Sequence, residues 1–156
     1  MTSFKMEPGP VHLFRIPTGG DIYDGITDFA RANQIEAAWL SYLGAVRRAS
    51  LRYFDQEAKE YRYFTVERHL EVLSGVGNIS LLDGAPFLHT HAAFGDEEGK
   101  AFGGHIDVGC EVWAVEVSMQ ELIGEAPSRT DADELASMVA EAPGVVEVVN
   151  RIWVVD

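Results

Sequence analysis

Segments with the composition and periodicity of β-strands dominate this 156-residue chain and constrain its fold most strongly. Four segments have this character: 11–17, 37–54, 61–84 and 108–119. Apolar residues alternate with other residues or concentrate as branched and aromatic types, as in strands with one buried face. Trp113 is expected to share a strand face with Val115 and Val117, and Gly44 to mark a bulge or a close approach. The pattern predicts a mainly antiparallel sheet.

Two helices and a closing strand complete the predicted fold. Residues 22–33 carry apolar side chains at helical spacing, and Asp21 is a good N-cap candidate because its carboxylate can accept backbone N–H bonds. A second helix is predicted over 128–142, followed by a strand or strand pair over 144–156. The fold class is therefore α+β, and residues 1–156 are expected to form one domain.

Composition and the N-terminal sequence predict a cytoplasmic protein. No apolar run approaches 18 residues, so no membrane span is expected. The N-terminus lacks a positively charged stretch followed by an apolar core, so no secretory signal is evident. The single cysteine, Cys110, excludes an intrachain disulfide and fits a reducing compartment.

The charge balance disfavours direct binding to nucleic acid. The chain holds 25 acidic residues against 12 lysines and arginines, for a net charge of −13, and such a chain repels a phosphate backbone. Its nearest approach to a basic cluster is Arg47, Arg48 and Arg52. These arginines are expected to lie on or beside a strand and to pair with some of the many carboxylates.

Three of the five histidines fall within residues 87–105, FLHTHAAFGDEEGKAFGGH. On a strand, His89 and His91 share one face and lie roughly 6.5–7 Å apart, which suits two ligands of one cation. If the following loop has an odd number of residues, His105 can lie opposite His89 on that face. An even loop would place His105 opposite Leu88 or Thr90, unless the Gly103–Gly104 pair forms a bulge.

Three neutral imidazoles with one open position are typical of catalytic zinc sites and also suit iron, nickel or copper. The alternative is three histidines with unrelated structural roles. Glu116, set among apolar residues, and Glu71 are candidate acid–base partners. Cys110 is a conceivable fourth ligand, although a lone cysteine is more often a small buried apolar residue.

Most of the chain resembles the PPC domain, a module shared by plants and prokaryotes. The matching pieces, in order, are GGDIYDGITDFARANQI, AAWLSYLGAVRRASLRYF and HLEVLSGVGNISLLDGAPFLHTHAAFGDEEGKAFGGHIDVGCEVWAVEVSM, within a core of about 11–139. The resemblance implies a sheet backed by helices and assembly as a homotrimer. It also implies zinc binding at the positions that match the histidine cluster of some prokaryotic members, which are His89, His91 and His105.

Plant members join this domain to an AT-hook, a short Arg-Gly-Arg element that enters the DNA minor groove. This chain contains no such element and resembles the stand-alone prokaryotic type. Three hypotheses follow: a trimer with a three-histidine divalent-metal site and a possible small-molecule ligand there, a trimeric binding module without chemistry, and a DNA-associated regulator. The resemblance supplies no activity.

Overall fold

The computed structural model describes residues 5–124. Within this range the chain forms six strands and one helix, in the order β1 (Glu7–Ile16), α1 (Ile22–Ala32), β2 (Ala38–Asp55), β3 (Glu60–Leu82), β4 (Ala85–Gly95), β5 (Ala101–Ile106) and β6 (Val112–Ile123). The α+β class with a mainly antiparallel sheet is confirmed, with one short helix in this range. The helix predicted over 128–142 and the strand predicted over 144–156 lie outside the described residues.

All six strands pair antiparallel in one sheet of order β1-β6-β2-β3-β4-β5. The long strand β2 changes partner along its length. Its first half lies beside β6, whereas Leu51 and Arg52 pair with Ile106 and His105 of β5. Because β2 also pairs with β3, the pairings among β2, β3, β4 and β5 form a closed ring of strands at this end.

Gly44 lies at an irregularity in β2 where the backbones of β2 and β6 approach closely. The β2–β3 register shifts between Tyr42 and Gly44, and Gly44 has a φ of +139°, which a residue with a side chain rarely adopts. A Cβ atom there would lie 2.0 Å from the carbonyl oxygen of Ala114 on β6. The predicted close approach at this glycine is confirmed.

The core lies between one face of the sheet and α1. Asp21 caps the helix, since its Oδ1 accepts a hydrogen bond from the backbone N–H of Asp24 at 3.1 Å, as predicted. The helix then buries Ile22, Ile26 and Ala30 completely. Truncating Ile26 to alanine would cost about 2–5 kcal/mol, because a cavity would remain in a closely packed core.

The opposite face of the sheet, called the outer face below, exposes an unusual number of large apolar side chains. They include Val11, Leu13, Trp39, Leu43, Leu73 and Val76. Isolated exposed apolar residues are ordinary, but a contiguous group indicates an interaction surface. No helix within residues 5–124 is long and apolar enough to cross a membrane.

Candidate metal centre

Strand alternation places His89 and His91 together on the outer face. Leu88 and Thr90 of β4 are buried in the core, whereas His89 and His91 are exposed. The two histidines pair across the ladder with Asn78 and Val76 of β3, respectively. The predicted common face of the two imidazoles is therefore confirmed.

The β4–β5 hairpin brings His105 to the same face. Gly95 pairs with Ala101, so the connecting loop 96–100 has an odd number of residues. Odd-numbered residues consequently face odd-numbered residues across the hairpin. The partner of His105 on β4 is His91. The expected pairing of His105 with His89 is wrong, because the observed partner lies two residues nearer to the turn than His89.

Gly103 and Gly104 do not form a bulge, because the β4–β5 register runs without interruption through both residues. Gly103 instead permits close approach of the strands. A Cβ atom at this position would lie 2.3 Å from the carbonyl oxygen of Ala92. A larger residue would push β5 away from β4 next to His105.

Asp96 organises the turn that sets this register. Its Oδ1 accepts hydrogen bonds from the backbone N–H groups of Glu98 and Lys100, at 3.0 and 2.9 Å, and its Oδ2 accepts one from Arg68 Nη1 at 3.0 Å. The backbone bond from Lys100, that from Glu98 and the charge of Arg68 hold the pKa of Asp96 below its ordinary value. The side chain is 1% exposed, so the loop closes tightly around it.

The three histidines converge closely enough to hold a metal ion. Their candidate ligand nitrogens all lie within 4.8 Å of one another, and the ring centroids are 5.1–5.4 Å apart. A tetrahedral ion with bonds of about 2.0–2.1 Å would draw the three nitrogens to roughly 3.3 Å apart. Side-chain rotation of the exposed His89 and His91 can supply that contraction.

The environment keeps two of these imidazoles neutral, the form that binds metals. Burial lowers the pKa of His105 to about 4, and the positive charge of Arg52 contributes in the same direction. Desolvation, followed by the charges of His91 and Arg52, also lowers the pKa of His89. Around neutral pH, metal binding at His89 and His105 therefore requires little proton release.

Arg52 is a neighbour of the cluster that the sequence did not reveal. Its Nη2 lies 2.5 Å from Nε2 of His105, and its guanidinium sits 4.9 Å from the ring centre of Tyr61. Residues 52 and 105 meet only because β2 pairs with β5 at the end of the sheet. No local pattern signals this pairing.

The three arginines of the basic cluster have different partners. Arg47 lies 3.7 Å from Glu111, as the expected pairing with carboxylates requires. Arg48 instead donates to the carbonyl oxygen of Gly109 at 2.8 Å. For Arg48 and Arg52 the expectation of a carboxylate partner is not met within residues 5–124.

Glu116 and Glu71 are not part of the histidine cluster in the described part of the chain. Glu116 lines an outer-face cavity of about 610 Å³ with Leu43 and Val76. Glu71 lines a second cavity of about 490 Å³ with His69. Their acid–base role stays a prediction.

Cys110 is fully buried and lies outside the cluster. Its Sγ accepts from the backbone N–H of Ser50 at 3.2 Å and lies 3.3 Å from the carbonyl oxygen of the same residue. Burial raises the pKa of the thiol to about 12. These contacts are those of a small, buried core residue.

Comparison with known proteins shows the family of this chain. Residues 4–123 match the model of the Plants and Prokaryotes Conserved (PCC) domain, also written PPC. The chain belongs to this family. A PPC protein of Pyrococcus horikoshii has a similar structure, with a TM-score of 0.76 and 35% identity, over 84% of this chain and 93% of that one.

Two further relatives of this PPC chain are a metal-containing protein and a much longer one. A metal-containing protein of Archaeoglobus fulgidus superposes with a TM-score of 0.76 at 42% identity, over 81% of this chain and 89% of that one. A bifunctional protein GlmU of Synechococcus sp. (strain JA-3-3Ab) is 34% identical over 104 residues, which are 66% of this chain. The matched region spans only 16% of that GlmU.

Proposed function

We propose that this PPC protein is a cytoplasmic homotrimer in which each chain binds one divalent metal ion, preferably zinc, through His89, His91 and His105. The observation that carries the proposal is the convergence of three imidazole ligand atoms within 4.8 Å across two paired strands. The metal content of the similar Archaeoglobus fulgidus protein supports it.

Ligand chemistry favours zinc, copper, iron or nickel over calcium and magnesium. Imidazole suits zinc, copper, iron and nickel, whereas calcium and magnesium prefer oxygen ligands. The cluster within residues 5–124 contains only imidazole ligands. Zinc sites with three protein ligands leave a position open for water or a substrate.

A bound ion of this kind polarises a carbonyl or activates a water molecule. The chain's own contribution is to hold three ligands in register and to keep two of them unprotonated. The hairpin turn at Asp96 and the close strand approach at Gly103 fix the register, and burial depresses the pKa of His105. The open position would be available to a small molecule.

Elemental analysis of natively purified protein tests the metal site. We expect about one divalent ion per chain in the wild type, and loss of the ion in His89→Ala, His91→Ala and His105→Ala. The affinity loss should exceed the roughly 10–100-fold that removal of an outer-shell partner costs. His69→Ala is the matched control, because His69 is exposed and outside the cluster, and it should retain the ion.

Two results would contradict this proposal. One is wild-type protein that carries no metal and also fails to take up added zinc. The other is unchanged metal affinity in the three cluster variants. In either case the histidines would only support the fold or the assembly, as in a binding module without chemistry.

Nothing in the described structure offsets the charge argument against direct DNA binding. The net charge is −13, and Arg47, Arg48 and Arg52 are engaged with Glu111, Gly109 and His105. A gel shift at moderate salt should therefore show no complex with the protein alone.

A further inference from the structure

Arg52 brings a fixed positive charge to the edge of the proposed metal site. It pairs with His105 across β2 and β5, and its Nη2 lies 2.5 Å from Nε2 of that histidine. Its charge also acts on His89. The guanidinium therefore contacts one proposed ligand and acts electrostatically on a second.

The contact between Arg52 and His105 uses the lone pair that a metal ion at Nε2 would need. A guanidinium has only donors, so Nε2 of His105 must be the acceptor and the proton of the neutral ring must be on Nδ1. An ion bound at Nε2 cannot share that lone pair. An ion that binds His105 through Nε2 would therefore displace Nη2 of Arg52 from that nitrogen.

Within residues 5–124, no carboxylate lies in direct contact with the guanidinium of Arg52. Its shielded Nε has no hydrogen-bond partner in the same range. Asp107 acts on His105 electrostatically, but its Oδ1 accepts from the backbone N–H of Val108. The ring of Tyr61 keeps the guanidinium near the cluster.

We propose, on the basis of the metal site proposed above, that the site binds a small organic carboxylate that coordinates the metal and pairs with Arg52. A carboxylate matches the planar donor fork of arginine and can bond to a metal at the same time. Its binding neutralises charge where an ion and a guanidinium lie side by side. The exposed aromatic rings of Tyr61 and Tyr63 offer contact to its carbon skeleton.

Full-length protein loaded with Co²⁺ provides the test, since the visible spectrum of Co²⁺ reports changes in coordination. Metal content is measured first, and then glycolate is titrated against glycolamide, its neutral amide, and against inorganic phosphate. In Arg52→Met we expect glycolate to bind roughly tenfold or more weakly, and glycolamide to bind as it does to the wild type. Metal affinity itself should be equal or higher in this variant, because a competing donor is gone.

Arg31→Met is the matched control, because Arg31 lies on α1 and pairs with Asp28, and it should bind glycolate as the wild type does. Arg52→Lys keeps the charge without the fork and should give an intermediate affinity, which also covers the case that Arg52→Met fails to fold. Equal glycolate affinity in cobalt-loaded wild type and Arg52 variants would overturn the proposal. Tighter, Arg52-dependent binding of phosphate would overturn the carboxylate class, and absence of bound cobalt would overturn the metal site together with this ligand.

Discussion

Cys110 belongs to a reactive residue type, yet its surroundings suppress that reactivity. The side chain is fully buried, and burial raises the pKa of its thiol to about 12. The nucleophile is the thiolate, and at pH 8 almost none is present when the pKa is so high. Cys110 is therefore expected to take no part in metal binding by the histidines.

Thiol labelling with a disulfide reagent at pH 8 should leave native protein unmodified for hours. The same reagent should modify one thiol per chain in denaturant, since unfolding restores both access and an ordinary pKa near 8.5. Cys110→Ala should keep its full metal content. Rapid labelling of the native protein, or metal loss in Cys110→Ala, would contradict this assignment and make Cys110 a candidate ligand.

At the scale of elements, the β4–β5 hairpin decides whether three histidines form one site. Its turn depends on Asp96, whose Oδ1 accepts two backbone hydrogen bonds while Oδ2 accepts one from Arg68. These bonds close the loop with an odd number of residues. Only that parity sets His105 opposite His91.

Asp96→Ala should loosen this turn and weaken zinc affinity several-fold, whereas Asp96→Asn should retain most of the affinity, because an amide oxygen can still accept the two backbone bonds. Competition with a zinc chelator measures both. Equal affinity in wild type and Asp96→Ala would show that the strand ladder alone holds the register.

The pH dependence of stability gives a second readout on Asp96. Its pKa is lower in the folded chain than in the unfolded chain, so its stabilising effect is complete above the unfolded value near 3.9 and disappears as pH falls through the folded value. Replacing Asp96 should therefore flatten the acid limb of the stability curve below about pH 4. Thermal unfolding of metal-free wild type and Asp96 variants across that pH range measures this difference in stability.

The local sequence pattern predicted much of the arrangement of the site. The parts that depend on long-range strand pairing could not be predicted from the sequence. Alternation in β4 was enough to put His89 and His91 on one face, since side chains on a strand repeat every two residues. The partner of His105 depends on how the turn closes, and Arg52 depends on a pairing between strands far apart in the chain. Neither the turn closure nor this strand pairing produces a periodic pattern in the sequence.

A bulge in the β2–β6 pairing also could not be predicted from the sequence, and the prediction that Trp113 shares a strand face with Val115 is wrong for this reason. The β2–β6 register shifts between Ala45 and Val46, so that Val112 is buried and Trp113 is 52% exposed. Trp113 instead stacks against the guanidinium of Arg47, 4.4 Å from its ring centre. A single shift in register reverses the expected alternation on one side of it.

At the scale of the whole molecule, the outer face brings together the metal site and the exposed apolar surface. His89 and His91 lie on it, and Val76, the ladder partner of His91, lines its cavity with Leu13 and Leu43. Leu13 and Leu43 are 79% and 60% exposed. Leaving such a surface in water is unfavourable for a single chain, and this supports an association of chains, of which the proposed trimer is one form.

Leu43→Glu tests whether the outer face is the surface through which the chains assemble. The side chain points away from the core, so the substitution should leave the folded monomer intact while placing an unpaired charge in the proposed interface. Light scattering coupled to size-exclusion chromatography should give three times the mass of one chain for the wild type and one chain mass for Leu43→Glu. Val108→Glu changes a similarly exposed apolar residue in the β5–β6 loop and should remain trimeric. A monomeric wild type would contradict the proposed trimer. A trimeric Leu43→Glu variant would show that the interface lies elsewhere on the chain.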